Sequence, residues 1–270
     1  MRLKSARAAH LLATAAVAAL LALSVAGCKT TGDDVTGSLA SSNAPRSDAD
    51  WRHQVDVWGA RYRDHREDPD IAMNYARALR ATGQNAQAVA VLEQVTIRNP
   101  HNLPLLGEYG RALAAAGDYN QALDVLNHAH TPDQPDWRIL NAQGAVLDQL
   151  GRHAEAQQHY NAALKIMPND SSVLSNLGLS YALTKDLRRA EATLRQAMGR
   201  PDATPKVREN LALVVGLEGR FAEAEQIASA ELPPDQAAAN VKYLREMLAK
   251  RNDWSRKGAE PYVPPPGGSN

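Results

Sequence analysis

Cysteine is nearly absent from this chain: Cys28 is the only one in 270 residues. A lone thiol excludes an internal disulfide framework. Excess charge is absent too, since 30 basic residues balance 30 acidic ones. Nucleic-acid binding calls for a basic surface, which this balance does not provide. The common catalytic signatures are missing: there is no phosphate-binding glycine loop, no His-Glu-x-x-His and no Gly-x-Ser-x-Gly. The eight histidines do not group. His128 and His130 sit two apart, on different sides of any helix, and His153 and His159 are six apart, so neither pair has metal-ligand spacing. Together these absences argue against an enzyme, a cofactor, a metal site and a small-molecule substrate.

The strongest apolar run, residues 11–26, follows Arg2, Lys4 and Arg7. It is too short for a comfortable membrane span and has the layout of a secretory signal. It ends Leu23-Ser24-Val25-Ala26-Gly27-Cys28, and small residues directly before a cysteine resemble the bacterial lipobox. The resemblance implies a signal peptide over 1–27, cleaved before a lipidated Cys28. Several acyl chains, each methylene contributing about 0.8 kcal/mol, make such an anchor effectively permanent. Lys29 rather than aspartate follows the cysteine, which by similarity to enteric lipoproteins implies the outer membrane, with the protein facing the periplasm. Cleavage removes Arg2, Lys4 and Arg7 and leaves a mature chain near −3. Residues 28–49 are polar and aperiodic, as expected of a flexible tether.

Against these absences stands a strong repeat. Alanine recurs at 88, 122, 156, 190 and 224, every 34 residues. A small residue keeps the same beat at 76, 110, 144, 178 and 212 (Ala, Gly, Gly, Gly, Ala), and a glycine at 83, 117, 151 and 219, with Lys185 in the remaining slot. Small residues let two helices approach closely, and glycine turns the chain between them through the left-handed conformation. The pattern resembles the tetratricopeptide (TPR) repeat, a helix-turn-helix unit of this period. The expected fold is therefore all-α: a TPR solenoid, a right-handed superhelix of about five repeats over 69–234. Capping helices are expected at both ends, because a terminal repeat otherwise exposes an apolar face.

The N-terminal cap is placed at 50–68, on the stripe Trp51, Val55, Trp58 and Tyr62. The C-terminal cap is placed at 235–251, on Val241, Leu244 and Leu248, and a disordered tail at 252–270. The runs at 131–136 and 199–205 are rich in helix breakers and are expected to shorten the second helices of the second and fourth repeats.

A scaffold of this kind binds protein partners through the first helix of each repeat. The consensus register assigns Asn74, Arg77, Arg80 and Arg111 to the binding surface of the first two repeats. In the last two it assigns Asn176, Leu179, Leu183, Lys206, Asn210, Leu213 and Leu217. Asn176, Lys206 and Asn210 partly resemble the carboxylate clamp of some TPR domains, which uses more lysine and arginine than are present here.

A narrower resemblance rests on Asn74-Tyr-Ala-Arg-Ala-Leu-Arg-Ala-Thr-Gly83, Pro135-Asp-Trp-Arg138, Ser175-Asn-Leu-Gly-Leu-Ser-Tyr-Ala-Leu183, Asn210-Leu-Ala-Leu-Val-Val-Gly-Leu217 and Ala238-Ala-Asn-Val-Lys-Tyr-Leu-Arg245. These stretches resemble the TadD-type TPR lipoproteins of tight-adherence (Tad/Flp) pilus systems, from about residue 50 to 250. The resemblance implies an adaptor that aids assembly of the Flp pilus machine, with the outer-membrane secretin as a partner to be localised or oligomerised. Other envelope roles for a TPR lipoprotein remain alongside it: a type IV pilus pilotin, a factor in β-barrel assembly, or a regulator of cell-wall enzymes.

Overall fold

The computed structural model describes residues 47–259, with side-chain surroundings through 250. The proposed lipidation residue Cys28, the signal peptide and the tether lie outside the described residues, as does the tail from 260. Among the described residues there are twelve helices and no strand: α1 Asp48–Asp64, α2 Pro69–Ala81, α3 Asn85–Arg98, α4 Leu103–Ala116, α5 Tyr119–Asn127, α6 Trp137–Gln149, α7 His153–Ile166, α8 Ser171–Leu183, α9 Leu187–Met198, α10 Pro205–Leu217, α11 Phe221–Ala228 and α12 Pro234–Ala259. First helices begin at 69, 103, 137, 171 and 205, and second helices at 85, 119, 153, 187 and 221. Both series keep the 34-residue period without an insertion.

Three columns of the repeat set this spacing. The residue before each first helix is Asp68, Asn102, Asp136, Asp170 or Thr204, in extended backbone. All but Thr204 accept a backbone N–H of the first turn on the side chain, which satisfies a donor the helix itself cannot. At the turn, Gly83, Gly117, Gly151 and Gly219 have φ between 75° and 93°. Lys185 takes the same conformation at φ 67°. The following N–H then reaches back five residues, as in Gln84 to the Leu79 carbonyl (2.8 Å) and Asp186 to that of Tyr181 (2.9 Å).

In the third column, Ala88, Ala122, Ala156, Ala190 and Ala224 are fully buried. They let the second helix lie close to its partner. Facing the small residues of the first helices are Leu92, Leu126, Tyr160, Leu194 and Ala228, each buried.

The helices form two compact units, α1–α7 ending at Ile166 and α8–α12 beginning at Met167. In the first, α1 packs on α2, each first helix touches its own second helix, and α4 touches both α2 and α6. Tyr62 of α1 stacks at 5.6 Å on Tyr75 of α2 and donates to Gln94 of α3 (3.2 Å). Helix α1 ends at Asp64, four residues before the expected limit of 68. Pro69 forces Asp68 into extended backbone, so the helix cannot run through it.

In the second unit α12 packs on α10 and α11. Val241 and Leu244 are buried, whereas Leu248 is only partly so. Helix α12 also runs eight residues past the expected end at 251, so a tail beginning at 252 is corrected here. No proline stands between 251 and 260, and Pro261 is the first residue that removes a backbone donor.

Helix α5 is shortened to nine residues, its chain turning through a bridge between Thr131 and Gln134. Helix α9 has twelve. Helix α11, with eight, is the shortest of all and was not marked by the repeat pattern.

Candidate functional site

In the first unit the expected cationic residues converge. Asn74, Arg77 and Arg80 recur at intervals of three along α2, and Glu108 and Arg111 are three apart on α4, so each set shares a helix face. Arg77 Nε and Arg111 Nη2 each donate to Glu108 Oε1 at 2.9 Å, and Arg80 Nη1 lies 3.6 Å from Oε2. Arg77 also donates to Asn74 Oδ1 (3.3 Å), while Asn74 donates to the Asp70 carbonyl (2.8 Å). The carboxylate is 6 % exposed, against 46, 24 and 27 % for the side chains of Arg77, Arg80 and Arg111.

Burial alone would raise the Glu108 pKa, but Arg111 and Arg77 outweigh it and hold the group below the usual glutamate range. Burial pulls the Arg80 guanidinium down against the attraction of Glu108. Three cations around one anion leave two positive charges in excess on a partly exposed surface.

Glu108 was not among the residues the repeat register singled out, although the register contains it. It follows Asn74 by 34 residues and precedes Asn176 by twice that, so it fills the slot that holds asparagine in three other repeats. Arg111 follows Arg77 in the same way.

In the second unit the expected surface residues include four leucines. Leu179 and Leu183 of α8 and Leu213 and Leu217 of α10 are all partly exposed. The polar residues around them are already committed. Asn210 is buried and its Nδ2 donates to Ser175 Oγ at 2.9 Å, across the α8–α10 contact. This corrects its assignment as an open surface donor: the first helices lie too close there for its amide to face outward. Lys206 Nζ pairs with Glu209 at 3.1 Å. Asn176 is partly exposed on α8 and engaged in a contact of its own. A carboxylate clamp from Asn176, Lys206 and Asn210 is thus not assembled.

His153 Nδ1 lies 2.8 Å from Asp148, which also accepts from the Tyr160 hydroxyl (3.1 Å). Among the described residues no three His, Cys, Asp or Glu side chains are grouped to hold a metal ion, and no helix is long and apolar enough to cross a membrane.

The comparisons with known proteins agree with this architecture. Tetratricopeptide-repeat models match residues 79–144 and 137–170. No curated relative matches the chain by sequence. Among solved structures, a thermophilic TPR protein of Thermus thermophilus is similar at 23 % identity and a TM-score of 0.58, over 66 % of this chain and 98 % of that one. A tetratricopeptide repeat protein of Parabacteroides merdae is similar at 14 % identity and 0.62, over 73 % and 78 %. PilW, a widely conserved type IV pilus biogenesis factor, is similar at 14 % identity and 0.61, over 72 % and 91 %. These likenesses concern the fold. The unbroken period, the buried small-residue columns and the matched repeat models show tetratricopeptide repeats in this chain, and its fold is that of an all-α TPR solenoid.

Proposed function

We propose that the protein is a lipid-anchored TPR adaptor, held at the outer membrane through Cys28, that assists assembly of the Flp pilus machine. The observation that supports it best is the span of the TadD-type resemblance. Its matched stretches fall on α2 and its turn, on the start of α6, on α8, on α10 and on α12. Helix α12 lies outside the repeats, and generic TPR similarity does not account for likeness there. PilW serves another pilus system and has the same fold, but shared fold alone does not transfer its role.

The adaptor binds a protein partner on the first-helix surfaces and keeps it near the membrane through the tether. Crosslinking in cells, followed by purification of the lipidated protein and mass spectrometry of what is attached, tests the reading. Enrichment of a secretin and Flp pilus components is the expected result. Enrichment of β-barrel assembly or cell-wall proteins instead would retain the scaffold and remove the pilus assignment.

A further inference from the structure

We propose that Arg77, Arg80 and Arg111, gathered on Glu108, form a receptor for an acidic segment of a partner protein. The proposal rests on the adaptor reading only in taking the occupant to be protein. Its chemistry comes from the cluster itself. One buried carboxylate already sits among three guanidinium groups, with Nε of Arg77 and Nη2 of Arg111 on the same oxygen. A guanidinium has five N–H donors in a planar fork. Glu108 and Asn74 engage only part of this donor set, and all three side chains reach solvent.

The remaining donors and the two unneutralised charges are complementary to further carboxylates, which guanidinium forks bind in bidentate fashion. Glu108 gives the arginines a fixed orientation before any ligand arrives, which lowers the ordering cost of binding.

The surroundings favour an extended peptide. In the next repeat the positions equivalent to Glu108 and Arg111 are Ala142 and Ala145 on α6. Short side chains there leave room for a backbone to pass beside the arginines. Nucleic acid is the weaker match, because the chain as a whole is neutral and an anion stands at the centre of the cluster.

The test uses the purified full chain and two fluorescein-labelled ten-residue peptides of Gly and Ser, one carrying four Asp and the other four Asn. Fluorescence anisotropy is expected to show the Asp peptide binding about tenfold or more tightly than its counterpart, since each charge-assisted bond contributes on the order of one decade in affinity. Binding should weaken as salt rises. An R77Q/R111Q variant should bind the Asp peptide about tenfold or more weakly, and it should also melt lower, because the buried Glu108 loses two of its three partners.

If that variant does not fold, Arg77→Gln alone, at the most exposed of the three, supplies the comparison. Equal binding of both peptides, or full affinity in a folded arginine variant, overturns the proposal. So does an oligothymidine of equal charge that binds as tightly and is lost in the same variant. Capture of the same partners in cells by the arginine variant, at wild-type yield, also removes the site while leaving the adaptor reading intact.

Discussion

Gly144 of α6 lies against Tyr160 of α7 with no space for a methyl group between them. A Cβ on Gly144 would stand 2.6 Å from Cε1 of the tyrosine and 2.8 Å from Cδ1 and Cζ. Tyr160 cannot retreat easily, since it is buried and its hydroxyl is tied to Asp148. Gly144→Ala is expected to cost about 1–3 kcal/mol and Gly144→Leu more, by overpacking. The urea midpoint measures it, and an unchanged midpoint for the leucine variant would exclude the close contact.

Lys185 and Gly151 hold the same turn position in successive repeats, at φ 67° and 75°. A side chain in the left-handed region costs about 1–2 kcal/mol, from which glycine's greater unfolded-state entropy subtracts about 0.5–1. Lys185→Gly should therefore stabilise by about 0.5–1 kcal/mol, and Gly151→Lys should destabilise by a similar amount. Thermal melts of the two variants should move in opposite directions. Movement in the same direction would show that something other than the backbone decides the turn.

These turns and close contacts were legible in the sequence because each depends on one residue type at one position. A missing Cβ at 110, 144 and 178, or a positive φ at 83, 117, 151 and 219, leaves a mark that recurs with the repeat. The capping series at 68, 102, 136 and 170 recurs equally well and marks the start of the first four first helices to the residue.

The cation cluster was only half legible. The arginines could be assigned to a surface by register, but the carboxylate that gathers them replaces asparagine in a single repeat. The inward turn of Asn210 depends on Ser175, one residue past a full repeat away, and becomes visible only once α8 and α10 are packed. Nothing in the period announces the short α11, whose end reflects the Leu232-Pro233-Pro234 run that follows it.

Acid should destabilise the fold in two stages. Burial, reinforced by His130, holds the His159 imidazole below its ordinary 6.5. The unfolded chain therefore binds this proton first, and the associated stability is lost as pH falls through the mid-6 range and below. Glu108 has a folded pKa below the ordinary 4.5. Its contribution is present above that value and lost as pH falls under it. Glu108→Gln should destabilise at neutral pH by about 1–3 kcal/mol, less than for a fully buried pair because the arginines reach solvent. It should also flatten the loss below pH 4.5 while leaving the histidine stage in place. Urea midpoints from pH 8 to 3 distinguish the two, and an identical acid limb in both proteins would remove Glu108 as its source.

Cys28→Ala separates anchoring from folding. If the thiol is the attachment point of lipid, the variant should leave the membrane fraction while its circular-dichroism melt stays unchanged, because the repeats begin some forty residues later. Continued fractionation with the outer membrane would mean that something other than acylation at Cys28 holds the protein there.

The end of the repeat array depends on one face of α12. A Cβ on Gly216 would lie 2.5 Å from Leu244 Cδ2, so the leucine fills the space this glycine leaves on α10. Leu244 is 4 % exposed, whereas its neighbour Tyr243 is 48 % exposed on another side of the helix. Leu244→Ala should cost about 2–4 kcal/mol through lost burial and the cavity it opens. Tyr243→Ala should cost about 0.5 kcal/mol or less, as surface replacements usually do. If α12 served only as a linker, the two variants would be equally mild. A large difference in urea midpoint between adjacent residues requires a docked helix that closes the apolar end of the last repeat.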